Sequence, residues 1–192
     1  LDGWPLHDHD QPPGKTRYMK PFQILQVSSN VGSSILGRRL TPEHYRRLLT
    51  QLGFGTKTSS GLYGEVKGIV PSLPWRQGRH STITYGQGIA VTPLQIVTAV
   101  SAIANKGVRV EPRIIQRIVS PDGDIIKEFP TKKYRTLSED NAEKVLDMMR
   151  TVVEEDGGTA STAKIPGYVL GGKTGTADKV VNGRYNGDVM SS

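Results

Sequence analysis

The stretch Gly167-Tyr168-Val169-Leu170-Gly171-Gly172-Lys173-Thr174-Gly175-Thr176-Ala177 decides the fold, because two readings compete for it. Residues 167–174 fit G-x-x-x-x-G-K-[ST], the phosphate-cradling loop of nucleotide triphosphatases. Such a loop needs a helix that starts at the Lys-Thr pair, so that backbone amides point at phosphate. Here Gly175 follows at once, then a β-type run to Val180-Val181, and Asn182-Gly183 reads as a hairpin turn back through Arg184-Tyr185. Only 18 residues remain after Thr174, too few for the rest of a nucleotide-binding domain. The segment therefore predicts a strand. A lysine beside a glycine lets a substrate backbone lie flat against that strand. The flanking threonine hydroxyls can hold a carboxylate, and Lys173 supplies a positive field.

Upstream, Ser138 caps an amphipathic helix in which Ala142, Val145, Leu146, Met149, Val152 and Val153 share a face and Gly157-Gly158 ends the run. Thr92-Pro93-Leu94-Gln95 is a strong helix start: Thr as cap, Pro first, Gln reaching back. Residues 94–104 are apolar nearly all round, which predicts a central, buried helix ended by Gly107. Residues 110–119 and 124–129 read as strands joined by the Pro121-Asp122-Gly123 turn. Near the start, Pro21 opens a short helix that ends near Ser28. A second helix covers 31–40, and Thr41-Pro42 opens a third with Tyr45, Leu48, Leu49 and Leu52 on one face and Gly53 past its end. Residues 53–84, rich in Gly, Ser, Thr and Pro, predict an irregular excursion. Helices and strands mix without βαβ alternation, so the fold class is α+β.

Composition narrows function. With 25 Lys+Arg against 18 Asp+Glu the chain carries +7, which suits an anionic neighbour. The basic residues are scattered and aromatics are only 6%, so a stacking platform for nucleic acid is not expected. Cysteine is absent, which excludes disulfides, thiol nucleophiles and thiolate metal sites. No stretch approaches the roughly 20 apolar residues of a membrane helix. His7-Asp8-His9-Asp10 alternates like a metal site, but the sequence places no third ligand such as His44 or His80. The stretch reads as a solvated polar loop, and no metal or organic cofactor is expected.

Ser28-Ser29-Asn30 is a Ser-x-Asn triplet at a helix end, where Ser and Asn are common caps; alone it says little. Together the motifs say more. Ser28-Ser29-Asn30-Val31-Gly32, then the run from Tyr85-Gly86-Gln87-Gly88 to Thr92-Pro93-Leu94-Gln95, then Gly158-Thr159-Ala160, then Gly171-Gly172-Lys173-Thr174-Gly175-Thr176-Ala177, closely resemble in order and wording the transpeptidase domain of class B penicillin-binding proteins. The resemblance runs from about residue 20 to the end and implies a fold of helices packed on an antiparallel sheet, with 1–192 part of one such domain.

Site roles follow from the resemblance. Ser28 matches the serine that relays a proton toward the leaving amine. Asn30 matches the group that holds the substrate amide and steadies the lysine. Lys173 and Thr174 match the substrate-receiving strand, and Gly175 keeps it clear. Thr176 matches the position whose N–H is half of the oxyanion hole and whose hydroxyl holds a carboxylate. Gly86-Gln87-Gly88 and residues 92–95 match positions that place the buried helix behind the site.

One part of the pattern is missing. The family's nucleophile stands in S-x-x-K well before Ser-x-Asn, and residues 1–27 contain no serine. Ser161-Thr162-Ala163-Lys164 fits S-x-x-K, but Pro166 follows closely and biases the residue before it away from helix, so Ser and Lys would not share a helical face. The nucleophile is therefore expected outside this chain, and the domain incomplete at both ends.

The resemblance implies acyl transfer. A serine attacks the penultimate D-alanine carbonyl of a peptidoglycan stem peptide, releases D-alanine, and passes the acyl group to an amine of a neighbouring stem. β-Lactams mimic the D-Ala-D-Ala end. Peptidoglycan, β-lactams and cell-wall or division proteins are the implied partners. The place is the outer side of the bacterial cytoplasmic membrane, with any anchor outside this chain. The alternatives are a non-catalytic β-lactam-sensing module and a hydrolytic relative, a carboxypeptidase or β-lactamase, of the same fold.

Overall fold

The computed structural model describes residues 6–9, 17–181 and 184–191. In chain order the elements are α1 (Pro21–Gln26), α2 (Asn30–Gly37), α3 (Pro42–Gln51), α4 (Gln77–Thr84), α5 (Pro93–Ala104), β1 (Val108–Val110), β2 (Arg117–Val119), β3 (Ile125–Glu128), β4 (Lys133–Arg135), α6 (Glu139–Glu154), a single 3₁₀ turn at Ser161–Ala163, β5 (Thr176–Val181) and β6 (Arg184–Ser191). All strand pairing is antiparallel, as an α+β chain without βαβ units requires. The pairs β1–β4, β2–β3 and β5–β6 are separate two-stranded ladders rather than one sheet. For β2 and β3 the reason is visible: every residue of both strands is exposed, so neither offers a buried face to a wider sheet.

The chain forms two compact units. One takes in the described residues up to Tyr45, Pro71–Ile89 and those from Lys144 onward; the other is Arg46–Val70 with Ala90–Glu143. In the first, α2 packs against α1 and α4. The α1–α2 corner needs Gly32, since a Cβ there would stand 2.7 Å from Ile24 Cγ1. Ile24, Trp75, Ile83, Met149, Val152 and Val153 are its buried apolar residues. Helix α4 lies inside the stretch expected to be irregular. It buries Gly78, His80, Ser81 and Ile83, and its polar composition hid it because tertiary burial, not propensity, holds it.

In the second unit α5 starts as expected. Thr92 Oγ1 accepts from the Gln95 N–H at 3.2 Å, and Gln95 Oε1 accepts from the Thr92 N–H at 2.9 Å. The helix is not buried all round, however: Gln95, Thr98, Ala99 and Ala102 are buried, while Ile96, Val97 and Val100 are exposed. A helix apolar on every side carries no periodic contrast, so the inward face is chosen by something else. Here that is Gln95, 1% exposed, whose Nε2 donates to the carbonyls of Gly53, Thr56 and Lys67 at 3.3, 2.7 and 2.9 Å. These bonds give the irregular segment 53–70 a fixed anchor.

The long strand expected over 110–119 is instead β1, an irregular link and β2, and β4 was not foreseen. The turn before β3 is as expected, with the Gly123 N–H bonded to Ser120 O. At the end of the chain the ladder starts at Thr176, paired with Ser191, so Lys173, Thr174 and Gly175 lead into β5 rather than belong to it. The Asn182-Gly183 turn lies outside the described residues; the flanking pair Val181 and Arg184 is in antiparallel register.

Gln95→Leu keeps the volume but removes the donor that ties three carbonyls together, those of Thr56 and Lys67 losing it outright while Gly53 O keeps the Thr56 hydroxyl. It should lower unfolding stability by about 3 kcal/mol, read as a shift of the urea midpoint; an unchanged midpoint would remove Gln95 as the anchor of segment 53–70.

Candidate active site

Ser28 sits on an unusual corner. Helix α1 ends at Val27 with the Ser29 N–H bonded to Ile24 O at 2.9 Å and the Ser28 N–H to Leu25 O at 3.2 Å, the paired bonds of a Schellman motif. The left-handed position of that motif favours glycine, and Ser28 occupies it at φ 55°. An L-residue there costs about 1 kcal/mol relative to glycine. Ser59 and Lys106 are left-handed too, so it is what the Ser28 hydroxyl meets that sets this corner apart.

Ser29 caps α2, its Oγ accepting from the Gly32 N–H at 2.8 Å. Asn30 is the first residue of α2 and is half-buried. Across from this corner, the turn after α6 is tied back to α1: the Thr159 N–H bonds Gln26 O at 3.1 Å, and Gln26 Nε2 donates to Asp156 O at 3.2 Å. Gly158 is required in that turn, because a Cβ would lie 2.3 Å from Val152 O. The segment entering β5 is drawn onto α6, with the Gly172 N–H bonded to Met149 O at 3.1 Å.

Between these supports Lys173 Nζ donates to Ser28 Oγ at 2.6 Å and to Thr174 O at 2.8 Å. Thr174 Oγ1 donates to Thr159 Oγ1 at 3.0 Å. Desolvation of the ammonium against the protein lowers the Lys173 pKa below the usual lysine value. The hydroxyl of Ser28 accepts from the lysine and keeps its own proton to give. The pair can thus pass a proton outward from Ser28 and replace it from Lys173.

Lys173, Ser28, Thr174 and Thr159 are therefore brought together. No bond joins Asn30 to Lys173 among the described residues. Gly175 follows half-buried, and Thr176 is exposed at the start of β5. Gln87 Nε2 lies 3.5 Å from Asp178 Oδ2 on the same strand. Lys164 is engaged elsewhere, 3.1 Å from Glu154 O and 3.3 Å from its carboxylate, and only a 3₁₀ turn covers Ser161–Ala163.

Two features were not read from the sequence. Thr159 was recognised only as part of a motif. The stretch 7–10 was read as solvated, yet Asp8 is 5% exposed and its carboxylate holds the Ser29 hydroxyl and the Val31 N–H. A fold contact across more than 20 positions leaves no local signal. His7 and His9 flank it, and no group of metal-binding side chains occurs among the described residues; Asp10 lies outside them.

The penicillin binding protein transpeptidase domain matches residues 2–191. The chain belongs to that family. Penicillin-binding protein PbpB of Mycobacterium tuberculosis is 42% identical over 82% of this chain and 24% of its own length. A probable peptidoglycan D,D-transpeptidase PenA of Neisseria meningitidis serogroup A is 34% identical over 84% of the chain and 26% of its own. The crystal structure of penicillin-binding protein 3 from Mycobacterium tuberculosis complexed with aztreonam is similar at a TM-score of 0.82 and 40% identity, covering 88% of this chain and 39% of that one. The chain thus spans about a quarter of the length of these curated relatives. The Ser28 triplet and the Lys173 segment have the wording of the Ser-x-Asn and K-T-G motifs of penicillin-binding transpeptidase domains.

Glycine fits the left-handed corner and alanine does not. Ser28→Gly should therefore be more stable than Ser28→Ala by about 1 kcal/mol, measured by urea unfolding; equal stabilities would mean that the corner relaxes. The lowered Lys173 pKa means that the folded chain sheds this proton at a lower pH than the unfolded chain. In amine-acylation labelling followed by peptide mass spectrometry, the Lys173 midpoint should lie below that of the urea-unfolded protein, and a midpoint at or above it would refute the desolvation.

Proposed function

We propose that this chain is part of a serine D,D-transpeptidase that cross-links peptidoglycan, and that both compact units belong to one transpeptidase domain. The observation that supports it most is the Lys173–Ser28 contact, which joins two family motifs 145 residues apart in sequence. The substrate is the D-Ala-D-Ala end of a stem peptide. A serine outside the residues named here attacks the penultimate carbonyl, and the bond to the terminal D-alanine breaks. Ser28 gives its proton to the departing amine and recovers one from Lys173, and the proton that the attacking serine gives up makes good the loss. The Thr176 N–H serves as half of the oxyanion hole, while Thr174 and the Thr176 hydroxyl receive the carboxylate in front of Gly175. Asn30 holds the substrate amide. An amine of a neighbouring stem then takes the acyl group and restores the serine.

β-Lactams acylate the same serine, in keeping with the aztreonam complex of the similar penicillin-binding protein 3. The domain works on the outer side of the cytoplasmic membrane, beside other cell-wall synthesis or division proteins. Among the described residues no helix is long and apolar enough to cross a membrane.

In the full-length protein, Lys173→Ala should slow acylation by a fluorescent penicillin by roughly 100-fold, the loss typical for one electrostatic group at a transition state, with the melting temperature retained. Rates equal to wild type would sink the role. Peptide mapping of the penicillin adduct should find it on neither Ser28 nor Ser161; an adduct on either overturns this arrangement of the site.

A further inference from the structure

The relay serine stands half-exposed on a left-handed corner, held from the α1 side by the Ser28 and Ser29 amides. From the α2 side the backbone just beyond it is fixed by Asp8. The buried carboxylate accepts the Ser29 hydroxyl through Oδ2 at 2.6 Å and the Val31 N–H through Oδ1 at 2.9 Å. The Ser29 oxygen in turn accepts the Gly32 N–H at 2.8 Å. Two of the free amides at the start of α2 are thus bound, one directly and one through Ser29. The residues on both sides of Asn30, and the residue after Ser28, hang from one side chain.

We propose that Asp8 is a positioning residue for the proton relay, holding the Ser28 corner so that its hydroxyl stays on Lys173. This rests on the reading of Ser28 as the relay. The clamp as built uses both oxygens of a carboxylate. One oxygen must accept from an O–H and the other from an N–H, and both approach from within the fold. An amide offers one acceptor oxygen, and its NH₂ would face the Ser29 proton. The charge also suits the place, since the first turn of a helix favours an anion. A carboxylate that served only as a cap would stabilise the protein and leave the chemistry of each folded molecule alone. A carboxylate that aims Ser28 must act through Ser28, and that difference can be measured.

The experiment is a double-mutant cycle in the full-length protein: wild type, Asp8→Asn, Ser28→Ala and the double variant, each checked for its melting temperature. The readout is the rate of acylation by a fluorescent penicillin, per folded molecule. Asp8→Asn should slow acylation at least about fivefold in the wild-type background and less than about twofold when Ser28 is already alanine, because coupled residues are not additive. Asp8→Glu, which keeps two acceptor oxygens, should recover part of the rate that Asp8→Asn loses. It also replaces Asp8→Asn in the cycle if the asparagine variant does not fold. If Ser28→Ala is slow but Asp8→Asn costs the same factor in both backgrounds, or nothing in either, the positioning role is overturned and the relay stands. If Ser28→Ala acylates at the wild-type rate, the relay reading itself fails and the role of Asp8 with it.

Discussion

The bond from Lys173 Nζ to Ser28 Oγ, 2.6 Å long between residues 145 apart, is the constraint that the first unit is arranged to meet. Neither partner belongs to a regular element. Ser28 is the left-handed residue after α1, and Lys173 precedes the first paired residue of β5. Each is placed by what surrounds it. On one side Gly32 lets α2 close against Ile24, and Asp8 ties down Ser29 and Val31. On the other the backbone of Gly172 hangs on Met149 at the buried face of α6. The turn at Gly158 and Thr159 links the two sides, since Thr159 bonds both Gln26 and Thr174. Partial desolvation there lowers the Lys173 pKa although the residue stays exposed, and the hydroxyl it meets is one that can pass a proton on.

A local rule is broken at this spot, as it is at Ser59 and Lys106, and only here does the residue meet a second motif across the fold. At α5 the threonine cap, the proline and the reciprocal glutamine agree with one another, and the helix forms as written. At the corner after α1 the same kind of rule asks for glycine and finds serine. The cost of about 1 kcal/mol is small against the stability of a domain. Serine at this corner carries the contact to the K-T-G motif of the penicillin-binding transpeptidase family.

The sequence by itself determined much of the local structure and the family. Caps, prolines and terminating glycines placed α1, α3, α5 and α6, because those signals act within four residues of one another. The glycine after Lys173-Thr174 excluded a phosphate loop, since no helix could start there. The order of the motifs identified the transpeptidase family and so the neighbourhood of Ser28 and Lys173. Tertiary structure alone decided the rest. Helix α4 forms from a polar, glycine-containing stretch because it is buried, and burial is not written locally. The inward face of α5 follows Gln95, whose partners lie 28 to 42 residues away, rather than its apolar residues, which surround the helix without contrast. Asp8, set between two histidines, looks like a solvated charge in the sequence. It became a clamp only when folding removed its water and brought to it, in exchange, a hydroxyl and an amide from more than 20 residues away.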